Sequence, residues 1–62
     1  MDYRNLHDQI EKDLTKGVYK TFPSLQRRLY SILEKVLKLA FVVNADPLTS
    51  AEEQILKENS YI

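Results

Sequence analysis

Few groups in this sequence could do chemistry. His7 is the single histidine; it stands beside Asp8 and four residues before Glu11. Positions four apart share a helix face, so His7 and Glu11 could begin a metal site, and a histidine held by a carboxylate could begin general acid–base catalysis. Either chemistry needs a third group, and none lies at a suitable spacing. The plainer reading is a rim histidine in a helical ion pair. The neighbouring carboxylates Glu52 and Glu53 could pose as an acid pair, but they fall in the first turn of an expected helix, where the helix dipole favours negative charge. Ser24, Ser31 and Ser50 lack a base, and with one glycine in the chain there is no loop to cradle phosphate. We expect no enzyme, no catalytic or metal site, no cofactor and no small-molecule substrate.

The cations form a more serious pattern. Lys12, Lys16, Lys20, Arg27, Arg28, Lys35 and Lys38 fall in the stretch 12–38, which holds only Asp13 and Glu34 against them, while the two ends of the chain are acidic. Such a band could follow a phosphate backbone, with Tyr19 and Tyr30 able to stack on bases. Against that, the formal net charge is zero, and no helix-turn-helix spacing around a central glycine is present. Nucleic acid is therefore the alternative partner, behind protein.

These side chains must be positioned by a very small chain. Sixty-two residues make one domain at most, and a chain of that size buries only about 60% of the surface it exposes when unfolded. Stability has to be marginal or borrowed from elsewhere. Disulfides cannot supply it, because there is no cysteine, and one histidine makes a structural metal a poor prospect. Association is the remaining source. The apolar share of 44% and charged share of 29% are those of a folding protein rather than a disordered one. No basic segment followed by an apolar core opens the chain, and the stretch VLKLAFVV at 36–43 is far short of the roughly 20 residues that span a bilayer. The expectation is a protein of the cytoplasm with no membrane contact.

Gly17, Pro23 and Pro47 divide the chain into three helices, an all-α fold in a single domain over 1–62. Helix one is expected over 3–16: Tyr3, Leu6, Ile10 and Leu14 make its apolar stripe, Asp2 its N-cap and Gly17 its left-handed stop. Helix two runs over 23–43, with Pro23 suited to the first turn and Asn44 and the Asp46-Pro47 pair as its end. A strand over residues 39–43 is the competing reading of LAFVV. Helix three spans 50–58 behind a Thr49–Glu52 capping box, with Ile62 and Tyr61 left to fray or dock.

Helix two carries the longest signal. Phe22, Leu25, Leu29, Ile32, Val36, Leu39 and Val43 keep a heptad phase for three repeats, and Tyr30, Leu37 and Phe41 form a second stripe. Together they cover a little over half its circumference, which implies neighbours on two sides. Helix three is too short to cover that rod. The sequence therefore predicts that part of the face is covered by another chain, most simply in a helical-bundle homodimer. Leu25, Leu29, Ile32, Val36, Leu39 and Val43 are the expected interface, with Tyr30, Leu37 and Phe41 as core or second-face contacts. The expected role is a regulator, inhibitor or adaptor acting on another protein.

Overall fold

A computed structural model describes residues 2–42 and 44–62. Three helices follow one another: α1 (Tyr3–Lys16), α2 (Pro23–Phe41) and α3 (Ser50–Glu58), with no strand among the described residues.

α1 starts because the Asp2 carboxylate accepts from the amides of Arg4 and Asn5, at 3.1 and 3.2 Å, answering donors that the first turn leaves unpaired. It ends at Gly17, whose φ of 78° lies in the left-handed region open to glycine. There the Val18 amide donates to the Asp13 carbonyl and the Gly17 amide to the Leu14 carbonyl, the paired bonds of a Schellman stop. Two further tight turns, Lys20 to Gly17 and Phe22 to Tyr19, reverse the chain. α2 therefore runs back antiparallel to α1, and at the far end the Arg4 guanidinium lies over the Phe41 ring, 4.8 Å from its centroid.

α2 opens at Pro23, with no side-chain cap from Phe22. It ends at Phe41, two residues before the expected boundary of 43, and Val43 itself lies outside the described residues. The β-branched Val42 is already extended, φ −119°, although its amide still reaches the Lys38 carbonyl at 2.7 Å. Pro47 drives Asp46 out of the helical region, so the chain must leave the helix earlier, and valine gives it up readily. Leu39 to Phe41 are helical, which removes the strand reading for those three residues.

α3 carries the capping box: the Thr49 hydroxyl accepts from the Glu52 amide at 3.2 Å and the Glu52 carboxylate from the Thr49 amide at 2.9 Å. Its start meets the middle of α2 through Lys35 and Glu52, at 2.8 Å. Past its end, Ser60 takes a left-handed φ of 64°, and the amides of Ser60 and Tyr61 close onto the carbonyls of Lys57 and Leu56. That turn sends Tyr61 to Asp13 and Tyr19 beside the α1–α2 connection. α3 thus lies antiparallel to α2, over the half of the hairpin nearest its turn. At ~1.5 Å per residue its nine residues reach less than half the length of α2.

The core is apolar throughout the described residues: Leu6, Ile10 and Leu14 from α1, Tyr19 from the connection, Leu29, Ile32 and Val36 from α2, and Leu56 from α3. Ile10, Leu29, Val36 and Leu56 are fully buried, each contributing about 1.5–3 kcal/mol relative to exposure.

Candidate interaction face

Turning ~100° per residue around α2 places its side chains relative to the two neighbouring helices. Leu29, Ile32 and Val36 form the buried line. On one side of that line Lys35 reaches α3. On the other side stands Phe41, under Arg4 of α1, and in the same row Leu37 and Tyr30. These three are 62%, 41% and 51% exposed. Leu33 and Ala40, between the row and the core, are half-buried. The wide apolar arc of α2 is thus divided: its heptad half closes the chain's own core, and its second half faces outward past α1.

This redistributes the expected interface. Leu29, Ile32 and Val36 are inside the chain and offer nothing to a second one, because α1 and the Leu56 end of α3 already cover them. Leu25 and Leu39 are half-buried, and Val43 lies outside the described residues. Phe22, the first of the heptad series, sits at the N-cap of α2 and is 62% exposed. The second stripe, Tyr30, Leu37 and Phe41, is the part that remains uncovered.

Of the seven band cations, Lys35 is committed to Glu52. Lys12, Lys16, Lys20, Arg27, Arg28 and Lys38 are exposed and make no ion pair among the described residues. The first five lie toward the turn of the hairpin. Lys38 shares with Ser31, Glu34, Lys35, Asp46 and Glu52 an open polar recess between α2 and the segment leading to α3. Both signs of charge line it, so it selects no single class of ion.

The Glu52 carboxylate does two things with one oxygen: Oε1 accepts from the Lys35 ammonium and from the Thr49 amide. Burial pushes its titration up, but the hydrogen bonds from Lys35 and from the backbone and hydroxyl of Thr49 together prevail and hold it below the ordinary glutamate value. Its neighbour Glu53 is exposed in the same first turn. Both carboxylates therefore belong to the start of a helix, as their spacing suggests.

His7 stands 3.4 Å from Asp8 and 3.7 Å from Glu11, its side chain 15% exposed. The second distance is too long for a hydrogen bond. His7, Asp8 and Glu11 do not converge on a metal position, and no group of three or more histidines or carboxylates that could hold a metal ion occurs among the described residues.

Sequence reasoning missed one polar node. The Tyr61 hydroxyl donates to Asp13 Oδ2 at 2.5 Å and lies 2.6 Å from the Tyr19 hydroxyl. A phenol has one proton, so Tyr61 spends it on the carboxylate and Tyr19 must donate to Tyr61. The residues are 42 and 48 positions apart in pairs, beyond the reach of any helical periodicity. Burial, then the Asp13 and Tyr19 hydrogen bonds, push the Tyr61 phenol far above its usual value.

Comparison with known proteins finds no family model, no curated protein and no solved structure that matches this chain. No helix among the described residues is long and apolar enough to cross a membrane.

Proposed function

We propose that this chain is a small non-enzymatic protein–protein interaction module, a regulator, inhibitor or adaptor that works through one face of α2. The observation that carries the reading is the row Tyr30, Leu37 and Phe41, two aromatics and a leucine at helical spacing, each 41% or more exposed. Helix-in-groove and helix-on-helix recognition use rows of this kind, and aromatic anchors dominate the energy of such contacts. The row is borne by a helix whose opposite side is locked into the core, so presenting it requires no rearrangement.

The test is a photo-crosslinking amino acid placed at Leu37 and, as control, at the exposed Lys12, in cells expressing the chain. Adducts at position 37 and none at position 12 support the reading. Equal labelling at both positions, or none at either, removes it.

A second reading has its own observation. Six band cations without an ion-pair partner among the described residues, five of them toward the hairpin turn, could meet the phosphates of a nucleic acid. If so, binding to a duplex or single strand falls steeply with salt, and Arg27→Ala with Arg28→Ala lowers the slope. Binding indifferent to salt, or unaffected by that double variant, removes this reading.

A further inference from the structure

Resting on the interaction reading above, we propose that the partner on this face is a second copy of the chain, docked α2 against α2 in antiparallel order about a twofold axis level with Val36.

Glu34 and Lys38 lie on the flank of the row away from α1, one turn apart, and neither makes an ion pair among the described residues. A twofold axis that reverses a helix while keeping it in contact with its copy brings each flank against the same flank of the copy. That flank must then be complementary to itself read backwards. Glu34 and Lys38 meet this condition: they are equally spaced about position 36, so Glu34 of each chain stands opposite Lys38 of the other, twice over. A parallel pair would bring opposite flanks together and leave both charges facing the Leu33 side of the copy, unanswered.

The same axis arranges the apolar groups. Leu37 is one residue from it, so the two Leu37 side chains meet across the centre. Tyr30 of one chain falls within one residue of Phe41 of the other, so both ends of the contact close on an aromatic pair of the kind that favours offset or edge-to-face stacking. Register, apolar contact and charge all select one axis.

The area is sufficient and small. Aromatic side chains bury about 150–250 Å² when fully covered, so two of them and a leucine, each about half exposed, offer roughly 300 Å² per chain. Two chains, with Leu33 and the stems of Glu34 and Lys38 added, approach the ~1,000 Å² at which specific interfaces begin. A foreign partner would need no such palindrome, and a row flanked by one carboxylate and one ammonium fits neither a strongly acidic nor a strongly basic one. The assembly is a dimer that separates on dilution.

The experiment is a molar-mass measurement by sedimentation across a dilution series of the full chain, with helicity followed by circular dichroism. The expected result is a reversible shift from 7.3 kDa to twice that mass. Leu37→Asp, at a surface position, should raise the dissociation midpoint at least tenfold with helicity unchanged. Glu34→Lys and Lys38→Glu should each weaken association about tenfold, since each converts two attractions into two repulsions, and the double variant should return to within about twofold of the parent. If a charge reversal unfolds the chain, Glu34→Gln and Lys38→Gln take its place, with a smaller loss in each expected.

A 7.3 kDa species that persists to the highest soluble concentration overturns the second copy. Crosslinks from position 37 to a different protein would then leave the interaction reading standing, whereas their absence as well would remove both. A dimer indifferent to Leu37→Asp overturns the chosen face. A dimer weakened by the single reversals but not restored by the double one overturns the antiparallel register.

Discussion

The Tyr61 hydroxyl donates a 2.5 Å hydrogen bond to Asp13 Oδ2, tying the residue beyond α3 to the last turn of α1. The Tyr19 hydroxyl, at 2.6 Å, donates to the same oxygen of Tyr61. Three segments of the chain therefore share one polar knot at the hairpin turn, and none of its side-chain atoms is left both buried and unpartnered. Hydrogen-bond chains of this kind polarise one another, and losing a member strands the rest.

Tyr61→Phe should remove both bonds and leave the half-buried Asp13 with water alone. The expected loss is about 1–2 kcal/mol, read as a fall in the thermal midpoint of roughly 4–8 °C per kcal/mol for a chain of this size. Tyr19→Phe should cost less, and the double variant less than the sum of the two singles. Full additivity would show that the hydroxyls act independently.

The Tyr61 phenol also fixes the alkaline limit. Its folded titration lies above the ordinary value of 10.0, so its contribution is fully present below that value and is lost as pH rises toward the folded one. Stability of the parent minus that of Tyr61→Phe, from urea titrations, should be flat up to pH 10 and decline above it. A difference that grows above pH 10 would contradict the knot.

The acid limit falls to Glu52. Its folded titration lies below 4.5, so its contribution is present above that pH and fades as pH falls through the folded value. Glu52→Gln keeps an acceptor for the Thr49 amide and removes only the charge facing Lys35, so it should cost about 0.5 kcal/mol at neutral pH. Glu52→Ala removes the capping box as well and should cost about 1–1.5 kcal/mol. A Glu52→Gln variant as stable as the parent would show that the charge facing Lys35 carries nothing, and equal costs for Gln and Ala would show that the capping acceptor adds nothing.

Neighbouring residues of α2 should respond in opposite ways to the same substitution. Val36→Asp puts a carboxylate into a fully buried apolar site and should unfold the chain whatever its oligomeric state. Leu37→Asp should leave the far-ultraviolet dichroism unchanged. Leu56→Ala, at the one buried side chain of α3, should cost about 2–4 kcal/mol.

Gly17→Ala tests the stop of α1. The added methyl would meet only Lys20 side-chain carbons at 3.9 Å, so space is not the obstacle. The φ of 78° is, and the expected cost is about 1 kcal/mol, seen as a lowered midpoint with an unchanged urea slope.

Much of this architecture is legible in the sequence because it is local. The bounds 3–16 and 50–58 are the observed ones, since Asp2, Gly17 and the Thr49–Glu52 box act within one turn of themselves. The end of α2 is less so: Val43 continues the heptad phase in the sequence, yet the helix stops at Phe41 and the β-branched Val42 is already extended. The division of the α2 surface could not be read in advance. A heptad row looks the same whether its cover comes from the same chain or another, and here Leu29, Ile32 and Val36 turn inward while Tyr30, Leu37 and Phe41 do not. Tyr61 is legible in the sequence only as a residue past α3 left to fray or dock, with nothing nearby to announce Asp13.

The two ends of the hairpin are unequally secured. At the turn, α3, Leu56 and the tyrosines lay a third layer on the first two. At the opposite end α1 and α2 meet without that third layer, through Tyr3 and Leu6 at the edge of the core and the Arg4 guanidinium over the Phe41 ring, the latter a contact worth about 0.5–1 kcal/mol where water reaches it. Amide exchange should therefore begin in the first turn of α1 and the last turn of α2 and advance inward, with opening there needing far less than global unfolding.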